Sequence, residues 1–370
     1  MQTADADSDT RAPFSASDTP FQNGPSEPHG DRVIELFAGV GGFRLGLERT
    51  GWTIVLGNQW EPSTNTQHAF DCYVRRFGSS SSWDINEDIE KLLDEVEQGS
   101  RDLPEYDLLV GGFPCQDYSV AKLLNQAHGI QGQKGVLWWQ IHRLIEMTGP
   151  AMVFLENVDR LLKSPATQRG RDFAIMLASL ADLGYMVEWR VINAADYGFP
   201  QRRRRVFIVA RRADLVESRD GVSLLRRDGV LARAFPVVQT ADENLLDGVH
   251  APDFRLSGDL VTLTDTFGCA GKNSPFRDGG VMVDRTVWTR PMQPEHGGPW
   301  RLLGDIVVDE DEVPPEYFIP EEELEAWRYL KGAKREKRVH KASGAPYQYN
   351  EGPLPFPDPL DRPARTVLTA

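Results

Sequence analysis

Near its N-terminal third the chain runs strand, glycine turn and helix in immediate succession. The strand is Arg32-Val33-Ile34-Glu35-Leu36-Phe37, the turn Ala38-Gly39-Val40-Gly41-Gly42-Phe43, and the helix carries Leu45, Leu47 and Glu48. An apolar strand feeding a helix through glycines opens a nucleotide-type α/β unit. The pyrophosphate fingerprint G-x-G-x-x-G fails, because Arg44 stands where its third glycine belongs. A nicotinamide dinucleotide is therefore disfavoured.

The alternation continues. A strand over residues 53–56 ends in Asn58-Gln59-Trp60-Glu61-Pro62, about 20 residues past the glycines, where such folds keep a ribose-binding acid. Trp60 is also compatible with a plain cap on the sheet. Asn86 is the expected cap of a helix whose Ile89, Leu92, Leu93 and Val96 share one face and which Gly99 stops. Further on, a helix over 136–147, a strand over 151–155, a helix over 173–183 and a strand over 187–192 extend the pattern.

Two strand ends carry chemistry. The apolar run Tyr106 to Val110 leads into Gly111-Gly112-Phe113-Pro114-Cys115-Gln116-Asp117-Tyr118-Ser119. Gly-Gly predicts a turn there, which puts Cys115 in a loop at the edge where open α/β sheets bind ligands. A small buried thiol is the competing reading. Glu156-Asn157 ends the strand over 151–155, and desolvation at an apolar strand end would raise a carboxyl's pKa and suit it to proton donation. An N-cap or ion-pair role for Glu156 is the alternative. Between these strands a polar loop over 122–134 with Gly129, Gly132 and Gly135 is a candidate to close over a substrate. If the run Arg202 to Val209 is a strand, Arg203 and Arg205 share one face, as suits a phosphate or carbonyl oxygen, with a solvated basic edge as the default alternative.

Composition bounds the rest. The three cysteines, Cys72, Cys115 and Cys269, are odd in number and widely spaced, which argues against a disulfide framework and a tetrahedral zinc site and points to a reducing cytoplasm. No apolar stretch is long enough for a membrane helix. A net charge of −14 disfavours a uniformly basic surface, so local patches decide about nucleic acid. One such patch holds Arg328, Lys331, Lys334, Arg335, Lys337, Arg338, His340 and Lys341 beside Trp327 and Tyr329. It reads either as a nucleic-acid surface or as a helix with a solvated charged face. Thr266 to Asn273 is a recognition loop or a turn. Residues 1–30 have the composition of a disordered tail. The alternation ends near residue 212, which sets the expected domains at 31–214 and, irregular, 215–360.

Four stretches together resemble the cytosine-5 DNA methyltransferases: Phe37-Ala38-Gly39-Val40-Gly41-Gly42, Gly112-Phe113-Pro114-Cys115-Gln116, Glu156-Asn157-Val158 and Gln201-Arg202-Arg203-Arg204-Arg205. The resemblance implies an α/β fold, a Rossmann-like S-adenosylmethionine-dependent methyltransferase domain with a smaller irregular DNA target-recognition domain. Phe37, Ala38, Gly39, Val40, Gly41 and Gly42 would lie against the cofactor and Trp60 would stack on its adenine. Asp84 and Ile85 would hold the adenine edge, and Pro114 and Leu137 would line the methionine side. The family usually has Glu at the position of Gln59, so here Gln59, helped by Glu61, would take the ribose hydroxyls. Cys115 would attack C6 of a flipped-out cytosine, Glu156 would hydrogen-bond its N3 and amine, and Arg203 and Arg205 would hold the base carbonyl and the thiol's surroundings. Gln116, Ser119, Lys122 and Gln201 would touch double-stranded DNA, and no metal is called for. Residues 361–370 look like the start of the segment that returns to the catalytic domain; the family's later motifs do not follow, which reads as a truncation, a separate chain that supplies the rest, or a broken copy. A restriction-modification enzyme is the setting implied. A non-catalytic or split-subunit DNA-binding member of the family, and a member acting on RNA, are the alternatives.

Overall fold

The computed structural model describes residues 30–62, 64–78, 83–113, 137–238, 252–339 and 344–366. They form two compact units, one from the chain up to Ile192 together with Arg205–Gln293, the other from Asn193–Arg204 together with Pro294–Ala370.

In the first unit β1 (Arg32–Leu36), α1 (Gly42–Glu48), β2 (Thr53–Asn58), α2 (His68–Phe77), β3 (Asp84–Ile85), α3 (Ile89–Glu97), β4 (Leu108–Gly112), α4 (Leu137–Thr148) and β5 (Met152–Asn157) follow in order. After α5 (Arg171–Asp182) come β6 (Tyr185–Asn193), the short β7 (Gln201–Arg202) of the second unit, and β8 (Arg204–Arg212). β9 (Phe254–Arg255), α6 (Leu260–Thr266), β10 (Gly279–Val283) and β11 (Thr286–Arg290) complete it. One sheet runs β3-β2-β1-β4-β5-β8-β6-β10-β11-β9. β1 to β5 pair in parallel, whereas β8 is antiparallel to β5 and β10 to β6. A dinucleotide fold places its sixth parallel strand beside β5; here the reversed β8 intervenes. Among the described residues no helix is long and apolar enough to cross a membrane.

Both faces of the sheet are covered, which is why its central strands β1, β4 and β5 are largely apolar. Ile34, Leu36 and Leu109 pack with Leu92 and Leu93 of α3 and with Ile141 and Leu144 of α4. On the other face Val33, Ile54, Leu108 and Val110 meet Phe43 and Leu47 of α1.

Arg44 explains the failed fingerprint. A third glycine allows close approach of helix and strand, but here the arginine is itself buried between elements. Its guanidinium donates to the Tyr73 hydroxyl at 3.1 Å, pairs with Asp84 at 3.4 Å and Glu48 at 2.7 Å, and lies 4.5 Å above the Phe77 ring. Tyr73 in turn donates to the fully buried Glu35 at 3.0 Å, which also accepts from the Arg44 backbone at 3.3 Å. Burial pushes the Glu35 carboxyl up from 4.5 to about 7, against these hydrogen bonds and the Arg44 charge. A folded pKa above the unfolded one means that the stabilising proton is fully held below the unfolded value and lost as pH rises through about 7. Between about pH 5.5 and about pH 8.5, wild type should therefore lose about 2 kcal/mol relative to Glu35→Gln. Denaturant unfolding of both at the two pH values measures it; parallel curves would refute the assignment.

Three local expectations are corrected. The cap of α3 is Asp88, whose carboxylate accepts from Glu90 N–H at 2.9 Å, while Asn86 turns to the Gln59 carbonyl at 2.6 Å. Gly111 and Gly112 are not a turn but the last residues of β4. A Cβ on Gly111 would stand 2.9 Å from the Leu36 carbonyl oxygen, so glycine there serves strand packing. The expected boundary near residue 214 falls inside the first unit, because β10, β11 and β9 prolong its sheet. Buried Arg190 of β6 adds a staple, donating to the Leu225 carbonyl at 2.9 Å and the Phe235 carbonyl at 2.7 Å.

The second unit holds α7 (Leu324–Lys331), the antiparallel pair β12 (Lys334–Val339) and β13 (Pro346–Glu351), and β14 (Ala364–Arg365), which pairs in parallel with β7. The basic stretch expected as one surface is thus helix to Lys331 and strand from Lys334. The segment expected to return to the catalytic domain runs beside Gln201–Arg202, where Thr366 Oγ1 donates to the Arg202 carbonyl at 2.6 Å.

Candidate active site

The sheet reverses its strand order between β1 and β4, and the crevice beyond their C-terminal ends is where such sheets take ligands. Phe37 leaves β1 with φ 54°, a left-handed conformation that a bulky residue adopts only under constraint. Ala38 N–H donates to the Asn58 carbonyl at 3.0 Å, Gly39 follows with φ 56° and open space where a side chain would be, and Val40 is exposed. Gly41 N–H closes the turn on the Ala38 carbonyl at 2.8 Å and Gly42 begins α1.

The loop after β2 is braced against this turn. Gln59 Oε1 accepts from Gly39 N–H at 2.8 Å, and Gln59 N–H donates to the Ile85 carbonyl at 3.1 Å. Gln67 clamps Glu61 from both sides, its Oε1 accepting from Glu61 N–H at 2.8 Å and its Nε2 donating to the Glu61 carbonyl at 2.9 Å. Between these pinned neighbours Trp60 is 40% exposed, an aromatic face presented to solvent rather than a buried cap. The Glu61 carboxylate is turned to α2, where it accepts from Ala69 N–H at 3.1 Å. This is a helix-capping contact, favoured because the first turn of a helix has unsatisfied N–H groups. Asp84 faces Arg44 and Ile85 is buried.

At the neighbouring strand ends, Gly112 of β4, Glu156 of β5 and Phe207 of β8 lie in register across the sheet. Arg205 Nε stands 2.7 Å from Glu156 Oε1, with the two side chains 21% and 22% exposed. The carboxylate is thus in an ion pair rather than at the bare apolar strand end expected for it. Asn157, buried beside it, donates from Nδ2 to the Phe113 carbonyl at 3.1 Å and accepts from Val158 N–H at 2.8 Å. Phe113 is buried against Trp138 at a ring distance of 6.2 Å. Leu137 is the half-buried first residue of α4. Pro114, Cys115, Gln116, Ser119 and Lys122, with the glycine loop to Gly135, lie outside the described residues.

The arginine run departs from its expectation. Gln201–Arg202 form β7 and β8 begins at Arg204; Arg203 is an exposed residue in the break between them, its N–H donating to the Gln201 carbonyl at 3.1 Å. Pairing of Gln201–Arg202 with β14 interrupts the run, so strand alternation does not relate Arg203 to Arg205. They also belong to different units. Gln201, half-buried, opens β7.

Gln67 went unread in the sequence, Asn86 was read only as a helix cap, and Asn157 was quoted without a role of its own. The signal for Asn157 was present in its place one residue after the strand-end carboxylate. Gln67 and Asn86 gave none, since each acts on a distant backbone.

With this arrangement in view, the profile of the C-5 cytosine-specific DNA methylase family matches residues 32–255. The chain belongs to this family. Its reaction class is accordingly methylation of DNA cytosine at C5. Among individual methylases it is similar to the type II methyltransferase M.Sau3AI of Staphylococcus aureus, 45% identical over 347 residues that cover 92% of this chain and 79% of that one. It is also similar to M.NgoBI of Neisseria gonorrhoeae, 36% identical over 178 residues, covering 48% of this chain and 50% of that protein. To M.HhaI of Haemophilus parahaemolyticus it is 33% identical over 186 residues, half of each chain. The match therefore spans about half the length of the latter two methylases.

Proposed function

We propose that this methylase transfers the methyl group of S-adenosylmethionine to C5 of a cytosine in a specific duplex DNA sequence, with Cys115 as nucleophile. The observation that carries this reading is the Glu156–Arg205 pair at the end of β5, in register with Gly112 and so three residues from Cys115. The cofactor supplies an electrophilic methyl group. The residues at the switch point suit it: the exposed Trp60 offers a stacking face to adenine, open Gly39 allows close backbone approach, and the missing third glycine matters only to a pyrophosphate, which this ligand lacks. Gln59, with its Oε1 on Gly39, would meet the ribose through its amide group, a donor where the family usually has an acceptor.

The cytosine must leave the duplex to be reached, at a cost of a few kcal/mol. Addition of the Cys115 thiolate to C6 forms the S–C6 bond and moves the ring electrons toward C5, which then takes the methyl group. Glu156 hydrogen-bonds N3 and the exocyclic amine, where charge develops, and Arg205 fixes the carboxyl's orientation. A base removes the C5 proton, the electrons return to the ring, and Cys115 leaves as thiolate. A restriction-modification setting, with a companion endonuclease, is proposed from the type II relatives.

Incubating the chain with duplex DNA and methyl-labelled S-adenosylmethionine, then sequencing after bisulfite treatment, tests the reading. Label at protected cytosines within one recurring sequence is expected. Label on adenine, or on RNA in preference to duplex DNA, would overturn it.

A further inference from the structure

The β12–β13 ribbon of the second unit separates its charges by face. Register pairs Lys334 with Glu351, Arg335 with Asn350, Glu336 with Tyr349, Lys337 with Gln348 and Arg338 with Tyr347. Strand alternation then puts Lys334, Glu336, Arg338, Tyr347, Tyr349 and Glu351 on one side. The charges there satisfy one another: Lys334 Nζ pairs with Glu351 at 2.6 Å, Arg338 with Glu336 at 3.0 Å, and the Arg338 guanidinium stacks 3.6 Å over the Tyr349 ring. On the opposite side Arg335, Lys337, Gln348 and Asn350 are all exposed. Neither cation of that face forms an ion pair among the described residues, and no carboxylate shares the face. Arg335, Gln348 and Asn350 line one open cleft.

Two cations and two amides facing outward from a two-stranded ribbon are the side chains that read purines. A ribbon fits the major groove, where Arg or Lys bonds guanine O6 and N7 and Asn or Gln bonds adenine N6 and N7. The spacing matches as well. Arg335 and Lys337 are two residues apart, about 6.8 Å along an antiparallel strand, which is two steps of about 3.4 Å along one DNA strand.

We propose that this face of the ribbon reads bases of the methylation site, Arg335 and Lys337 taking guanine and Gln348 and Asn350 adenine, in the major groove. The proposal rests on the reading of the chain as a duplex-DNA methylase. The competing role, neutralising phosphates without reading sequence, predicts uniformly weaker binding and a shallower salt dependence on mutation.

The full chain and its Arg335→Ala, Lys337→Ala, Gln348→Ala and Asn350→Ala variants, checked for unchanged thermal unfolding, are presented with duplexes randomised around a central cytosine. Sites are selected in one arm by methylation and in the other by binding. Wild type should select sequences containing both guanine and adenine. Each variant should lose discrimination at one position, on the order of 10- to 100-fold, with Arg335 and Lys337 acting at guanines and Gln348 and Asn350 at adenines. Selection by binding, relaxed by these substitutions but without methylation in any arm, would sink the enzymatic reading and leave the ribbon's role intact. A selected sequence that all four variants preserve, uniform weakening at every position, or a wild type that selects no sequence overturns the ribbon proposal.

Discussion

Cys115→Ser should reduce methyl transfer below detection while duplex DNA still binds. A serine hydroxyl is almost wholly protonated at neutral pH, whereas a thiol is readily ionised and its anion is a far stronger nucleophile. Without addition at C6, C5 of cytosine has no electron density to offer. The decisive measurement uses a duplex with 5-fluorocytosine at the target. Fluorine cannot leave C5 as a cation in the way that the proton does, so the wild-type chain should stop as a stable covalent adduct after transfer. Cys115→Ser should form none. Turnover by the serine variant, or an adduct mapped to Cys72 or Cys269, both exposed, would remove Cys115 from the mechanism.

Glu156→Gln should lower kcat on the order of 10²- to 10⁴-fold, the usual contribution of a positioned proton donor, with KM for DNA little changed. The substitution keeps an oxygen for Arg205 Nε to donate to, 2.7 Å away in the native pair, so geometry survives while transfer of a proton to N3 does not. Single-turnover rates at saturating DNA separate the chemical step from binding. A variant within threefold of wild type, a margin far below that expectation, would leave Glu156 an ion-pair partner and nothing more.

What the sequence made legible was whatever a local pattern dictates. The strands ending at Leu36, Gly112 and Asn157 are apolar over several residues, and the helix with Ile89, Leu92 and Leu93 has a clear apolar face. The crevice at the β1–β4 switch point and the carboxylate at the β5 end followed from those. Interactions across long sequence separations were not legible. Arg44 looked like a defect in a glycine motif, and only its contacts to Tyr73 and Asp84 show a packing element. Strands β9, β10 and β11 lie beyond the point where the regular alternation stops, and their membership in the sheet depends on β10 pairing with β6, nearly a hundred residues earlier. The arginine run misled because strand alternation was assumed from Arg202, whereas pairing of β7 with β14 breaks it. The family resemblance covered the cofactor and thiol motifs and set the ribbon within an expected target-recognition domain, but not which of its side chains share a face.

The hydrogen bond from Asn157 to the Phe113 carbonyl sets a tether length. Cys115 is two residues past Phe113, and a fully extended chain advances at most about 3.6 Å per residue, so covalent geometry keeps the Cα of the proposed nucleophile within about 7 Å of the Phe113 Cα. Glu156 shares the strand of Asn157. In the proposed mechanism acid and nucleophile are thereby both referenced to the end of β5. Lengthening the tether by one inserted residue before Cys115 would double the accessible volume or more, and distance-dependent chemistry would register that change before folding did.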